Sequence, residues 1–125
     1  MKIKLVMSIK AIVVVFFGLG FLLLTEFLMS LYGMDTGPGA LATGRLLGQM
    51  YTLIALLLWL CRNTGEASTK RAFAIAVTIG DAIGTVITLL ATLSGAMNVF
   101  GWSAVAIYLI FTLGFGYFLL KPEAA

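Results

Sequence analysis

Four long apolar runs leave this chain little choice of fold. They lie at about 8–32, 38–61, 71–94 and 99–120. A helix needs about 20 mostly apolar residues to cross the hydrocarbon layer of a bilayer. Inside that layer every backbone polar group must be satisfied within the protein, which favours helices for runs of this length. Of the 125 residues, 62% are hydrophobic and 10% are charged, whereas soluble domains carry about 25% charged residues. The sequence therefore predicts an all-α integral membrane protein, with one transmembrane domain over residues 1–125.

The breaks between runs are local. GMDTGPG, at 33–39, is a Gly/Pro turn, and Pro38 suits the first turn of the next helix. CRNTGEASTKR, at 61–71, is a polar loop, and SGAMN, at 94–98, is a tight connection. Short links make consecutive helices antiparallel neighbours, hence an up-and-down four-helix bundle. Asn98, before Gly101 and Trp102, reads as a helix-capping turn residue. Trp59, Trp102, Tyr32 and Tyr117 fall near run ends, where interfacial aromatic belts form.

Basic residues set the orientation. Lys2, Lys4 and Lys10 are read as preceding the first helix, Arg62, Lys70 and Arg71 join the second to the third, and Lys121 follows the fourth. All fall on one side, so the positive-inside rule places both termini in the cytoplasm of a bacterial inner membrane. MKIK before an apolar run also opens like a secretory signal peptide. The run is long, contains Glu26 and lacks a small-x-small cleavage site, so it is read as a retained span.

The polar residues inside the spans form the candidate site. The third helix carries Thr78, Asp81, Thr85, Thr88 and Thr92 at spacings of three or four, on one face, with Gly80 and Gly84 alongside. The second carries Arg45, Gln49 and Thr52, with Gly44 and Gly48 beside them. The first carries Glu26 and Ser30, and the fourth Tyr108 and Thr112. Glu26 and Arg45 fall at equal depth, roughly 8 Å inside the outer end, which predicts an ion pair. Asp81 falls about 14 Å from the cytoplasmic end, near the midplane, with no basic residue assigned to its depth. Gln49, one turn below Arg45, is placed to relay hydrogen bonds towards it.

Glu26 and Asp81 against Arg45 alone leave an excess negative charge inside the membrane. A lone buried charge is neutralised rather than tolerated. Either Asp81 is protonated and held by the threonines, or a cation or partner residue compensates it. With a protonated Asp81, Asp81→Asn should fold as well as the parent. Asp81 is then either a structural acid or a proton or cation site. Arg45 either pairs with Glu26 or binds an anionic headgroup or substrate.

Several chemistries have no support in the sequence. There is no histidine, and Cys61 is the one cysteine. No nucleophile–base pair, phosphate loop or metal-ligand spacing is visible, and no basic face suits nucleic acid. The expectation is a protein that is not an enzyme, with no catalytic, cofactor-binding or metal residues.

ATGRLLGQMYTLIALLLWL, IGDAIGTVITLLATLSGAMNVFGW and the closing LGFGYFLLKP resemble a group of small bacterial inner-membrane proteins, similar to the DoxX-like superfamily. The most specific pieces are Arg45 with Leu46–Leu47–Gly48, Gly80–Asp81, and Asn98 with Gly101–Trp102. The resemblance implies a four-helix fold and no settled activity. Small multidrug-resistance transporters also have about four helices, but with a mid-membrane carboxylate in helix one. Here Glu26 lies near the outer end, and the charge bias suits a single orientation. The expected function is a non-enzymatic accessory or scaffold subunit, in contact with the lipid bilayer and with a membrane-protein partner or further copies of itself. The alternative is a proton- or cation-coupled small transporter or channel subunit using Asp81, Glu26 and Arg45.

Overall fold

A computed structural model describes residues 2–125, and it is helical from end to end. The elements are α1 (Ile3–Leu23), α2 (Thr25–Leu31), α3 (Pro38–Cys61), α4 (Ala67–Leu93), α5 (Gly101–Leu120) and a closing 3-10 turn, Pro122–Ala124. Helices α1, α3, α4 and α5 are each long and apolar enough to cross a membrane. α3 has the expected ends, with Pro38 in its first turn. α4 begins earlier than expected, at Ala67, so Lys70 and Arg71 are helical rather than in the loop.

The first run departs from its expected course in two ways. It becomes helical at Ile3 rather than near Ser8, because Ile3, Val6 and Met7 all find buried positions. Lys10 therefore lies inside the helix instead of flanking it. The helix also breaks at Leu24, whose φ of −125° and ψ of 42° leave the α region. No proline is involved. The Thr25 hydroxyl donates to the Phe21 carbonyl, one turn back, and Leu24 N–H bonds the Gly20 carbonyl at 2.7 Å. A side chain bonded into the ladder in this way bends helices. The remaining turns, through Leu31, form α2.

Gly33 closes α2 with φ of 71°. Met34 N–H reaches the Met29 carbonyl at 2.8 Å and Gly33 N–H the Ser30 carbonyl at 3.0 Å, the paired bonds of a Schellman cap. Glycine supplies the left-handed residue this cap needs without strain.

The helices are organised as two antiparallel hairpins, α1–α2 with α3, and α4 with α5. In the first, backbones almost touch. A Cβ at Gly48 would lie 2.8 Å from both the Gly18 carbonyl oxygen and the Leu22 nitrogen. Small residues at such crossings allow the close approach that drives helix association in lipid. In the second hairpin Gly84 accepts the Tyr108 ring, whereas Gly80 has nothing within 4 Å of where its Cβ would be. Only one glycine of that expected pair admits a neighbour.

The hairpins join at both ends. Where α1 begins, Met7, Leu58, Ala74, Phe115 and Phe118 form a common core, each at most 3% exposed. At the opposite end Asn98 is the tie. Its N–H and its amide Nδ2 donate to the Tyr32 and Leu31 carbonyls, both at 2.8 Å. Its Oδ1 accepts from Phe100 N–H at 3.0 Å. Phe100 is the N-cap residue of α5, so Asn98 is a bridge between hairpins rather than the helix cap expected. Tyr32, expected in an interfacial belt, is buried, with its hydroxyl 3.2 Å from Ser103 Oγ.

Candidate functional site

Asp81 has a partner in its own chain. Lys10 Nζ lies 2.6 Å from Asp81 Oδ2 and donates to it. The residues are 5% and 7% exposed, so water does not carry the charge of either. The ammonium also stands 4.7 Å from the centre of the Phe111 ring, within range of a cation–π contact. This corrects the placement of Lys10 in the cytoplasmic flank and of Asp81 at a depth without a base. Starting the helix at Ile3 carries Lys10 about 10 Å along the span. The acids Glu26 and Asp81 are then matched by Arg45 and Lys10. Of the two ways of neutralising Asp81, the structure displays a compensating residue, and it is neither Arg45 nor a group from another subunit.

The threonine stripe does not serve the carboxylate. Thr85 Oγ1 donates to the backbone carbonyl of Asp81 at 2.7 Å. Thr88 and Thr92 donate to the Gly84 and Thr88 carbonyls at 2.8 and 2.7 Å. Each hydroxyl is satisfied one turn back in its own helix, the usual arrangement where no better acceptor is in reach. Thr78 is the exception, with Oγ1 buried and without a hydrogen-bond partner.

A second polar contact lies in the same interior. The Tyr51 hydroxyl of α3 bonds the Tyr108 hydroxyl of α5, linking the hairpins across the middle. Phenol pairs suit this position because each ring fills apolar space while the hydroxyls satisfy one another. Sequence reasoning placed Tyr108 among polar residues but passed over Tyr51 and Lys10. The signal for Lys10 was the unbalanced charge count, which required a second base. Nothing marked Tyr51, although Gln49 and Thr52 beside it were singled out.

The other expected residues face outward. Glu26 and Arg45 are both exposed and line one open recess of about 520 Å³, with Leu22, Phe27 and Leu41. They stand at one level, since a Cβ on Gly44 would lie 2.8 Å from Thr25 and 2.7 Å from Met29. They do not form the expected ion pair. Among the described residues, Lys10 and Asp81 are the acidic and basic side chains that come within 4 Å. Gln49 is exposed and makes no bond towards Asp81, so the expected relay is absent. Thr52 turns inward instead, donating to the Gly48 carbonyl at 2.8 Å beside Gly18.

The two outer surfaces differ in kind. That of α4 presents Ile75, Ile79, Ile83, Val86, Ile87 and Leu90. That of α2 and α3 exposes Glu26, Ser30, Arg45 and Gln49 among its leucines. The five residues expected to form one intramembrane site thus separate. Asp81 and Thr85 belong to the interior, and Glu26, Arg45 and Gln49 to the periphery. No family model matches the chain, nor does any curated protein or solved structure.

Proposed function

We propose that this protein is a multi-pass subunit of a bacterial inner-membrane assembly, with both termini in the cytoplasm and no catalysis of its own. The observation that carries the proposal is the outward exposure of Arg45 and Gln49 on α3, a helix apolar enough to span a bilayer, with Glu26 exposed at the level of Arg45 on α2. Charged side chains facing hydrocarbon are costly, and those within spans face protein or water. A lateral protein neighbour against α2 and α3 removes that cost, while the aliphatic face of α4 suits lipid. The protein then acts as a scaffold: one hairpin contacts lipid and the other a partner.

Transport is the second reading, favoured by one observation, the carboxylate of Asp81 buried in the centre of the spans. Lys10 neutralises it in place, which suits a fixed structural pair better than a site that must load and release a cation. Extraction into polymer-bounded native nanodiscs separates the two. A subunit should leave the membrane with a protein neighbour, and Arg45→Leu with Gln49→Leu should release it. Proton or cation flux in vesicles containing the chain alone, above that of empty vesicles, would establish transport instead.

A further inference from the structure

We propose that the neighbour on the α2–α3 face is a second copy of this chain, held by two reciprocal ion pairs, Glu26 of each copy with Arg45 of the other. The inference rests on the docking face described above and names its occupant. The face carries one acid and one base, both exposed and unpaired among the described residues. Such a face is complementary to itself. Under a two-fold axis the same patch serves both copies, and every contact occurs twice.

The levels of the two groups restrict the axis. Gly44 beside Thr25 and Met29 puts Glu26 and Arg45 at one height. Copies inserted in the same orientation are related by an axis along the membrane normal, which preserves height. Both pairs then close together. The open recess that Glu26 and Arg45 line leaves room for the incoming side chains.

Gln49 decides between a protein and a lipid on this face. A phospholipid headgroup could meet Arg45 from the outer surface. Gln49 lies one helical turn deeper, roughly 6 Å further towards the midplane, where only hydrocarbon would be offered. A second copy offers its own Gln49. A primary amide is donor and acceptor at once, so it is satisfied by its own kind across a two-fold axis.

Two differently tagged full-length chains, co-expressed and extracted in native nanodiscs, test the proposal through capture of one tag by the other. Parental chains should capture each other. Glu26→Arg with itself, and Arg45→Glu with itself, should each lose at least about tenfold, because both contacts become like-charged. Glu26→Arg mixed with Arg45→Glu should recover capture, since the two chains restore both pairs between them. Recovery in trans also shows that neither variant failed to fold. If the mixture stays as poor as the single variants, while a chain carrying both exchanges captures itself, the pair forms within one chain and the proposal fails. Should charge reversal prevent membrane insertion, Glu26→Gln and Arg45→Gln replace it. Each deletes both reciprocal pairs, so each should weaken capture to a similar degree, and unchanged capture would overturn the proposal. If parental chains do not capture each other, and a photo-reactive residue at Gln49 instead cross-links a different membrane protein, the second copy is excluded and the docking face stands. A lipid adduct alone would remove both.

Discussion

Lys10 and Asp81 behave as one neutral unit, and the effects of substitution follow from that. Removing one partner strands the other in a dry interior, which costs about 3–5 kcal/mol. Lys10→Met should therefore be strongly destabilising, and Asp81→Asn should be too, because it leaves the ammonium without its anion. The second outcome reverses what a protonated, threonine-bound Asp81 implied. Lys10→Met with Asp81→Leu should cost less than the sum of the singles, since apolar groups of similar size can replace a buried pair. Reversible unfolding in mixed micelles measures the cycle, and additive effects would mean that the pair contributes no coupling. Asp81 was legible in the sequence as a group needing compensation. Its partner was not, because a lysine near an apolar run has two physical meanings. It can anchor in the headgroups, or it can enter the span with a buried acid, and only the start of the helix at Ile3 separates these.

At the scale of elements, apolar length was enough to locate the spans, and Gly/Pro chemistry located the turn before α3. The break at Leu24 was not legible, since it needs no proline and Thr25 makes the same backward bond that threonines make in the unbroken helices. Glycine spacing was likewise ambiguous between packing and exposure. Gly48 and Gly80 make the contrast testable. Gly48→Ala forces a methyl against backbone atoms of α1, and should cost about 1–3 kcal/mol. Gly80→Ala meets open space, and should be neutral or stabilising by up to about 1 kcal/mol through helix propensity. The same unfolding assay ranks them, and equal effects would contradict the hairpin geometry. Asn98→Ala removes the side-chain bonds to Leu31 and Phe100. It should cost about 1–2 kcal/mol and raise hydrogen exchange at the neighbouring turn amides.

For the whole molecule, the placement of charge orders both axes. Along the spans, moving Lys10 inside still leaves Lys2, Arg62 and Lys121 outside the spans at the end proposed as cytoplasmic, joined by Lys4 in the first turn of α1 and by Lys70 and Arg71 in the first turns of α4. In a Cys61→Ala background, cysteines at Thr64 or Ser68 should react with an impermeant thiol reagent only after permeabilisation, and one at Thr36 in intact cells. Reversed labelling would overturn the orientation. Across the bundle, the aliphatic outer surface of α4 contrasts with the polar outer surface of α2 and α3. The sequence revealed the polar residues of that surface but not their direction, because helical spacing gives a face without saying what it meets. A photo-reactive amino acid placed at Gln49, with Ile83 as the comparison position, reads that direction in native membranes. Mass analysis of the adducts should show a protein cross-link from Gln49 and lipid alone from Ile83. Lipid alone from both positions would contradict the proposal that this chain is a subunit docked through its first hairpin.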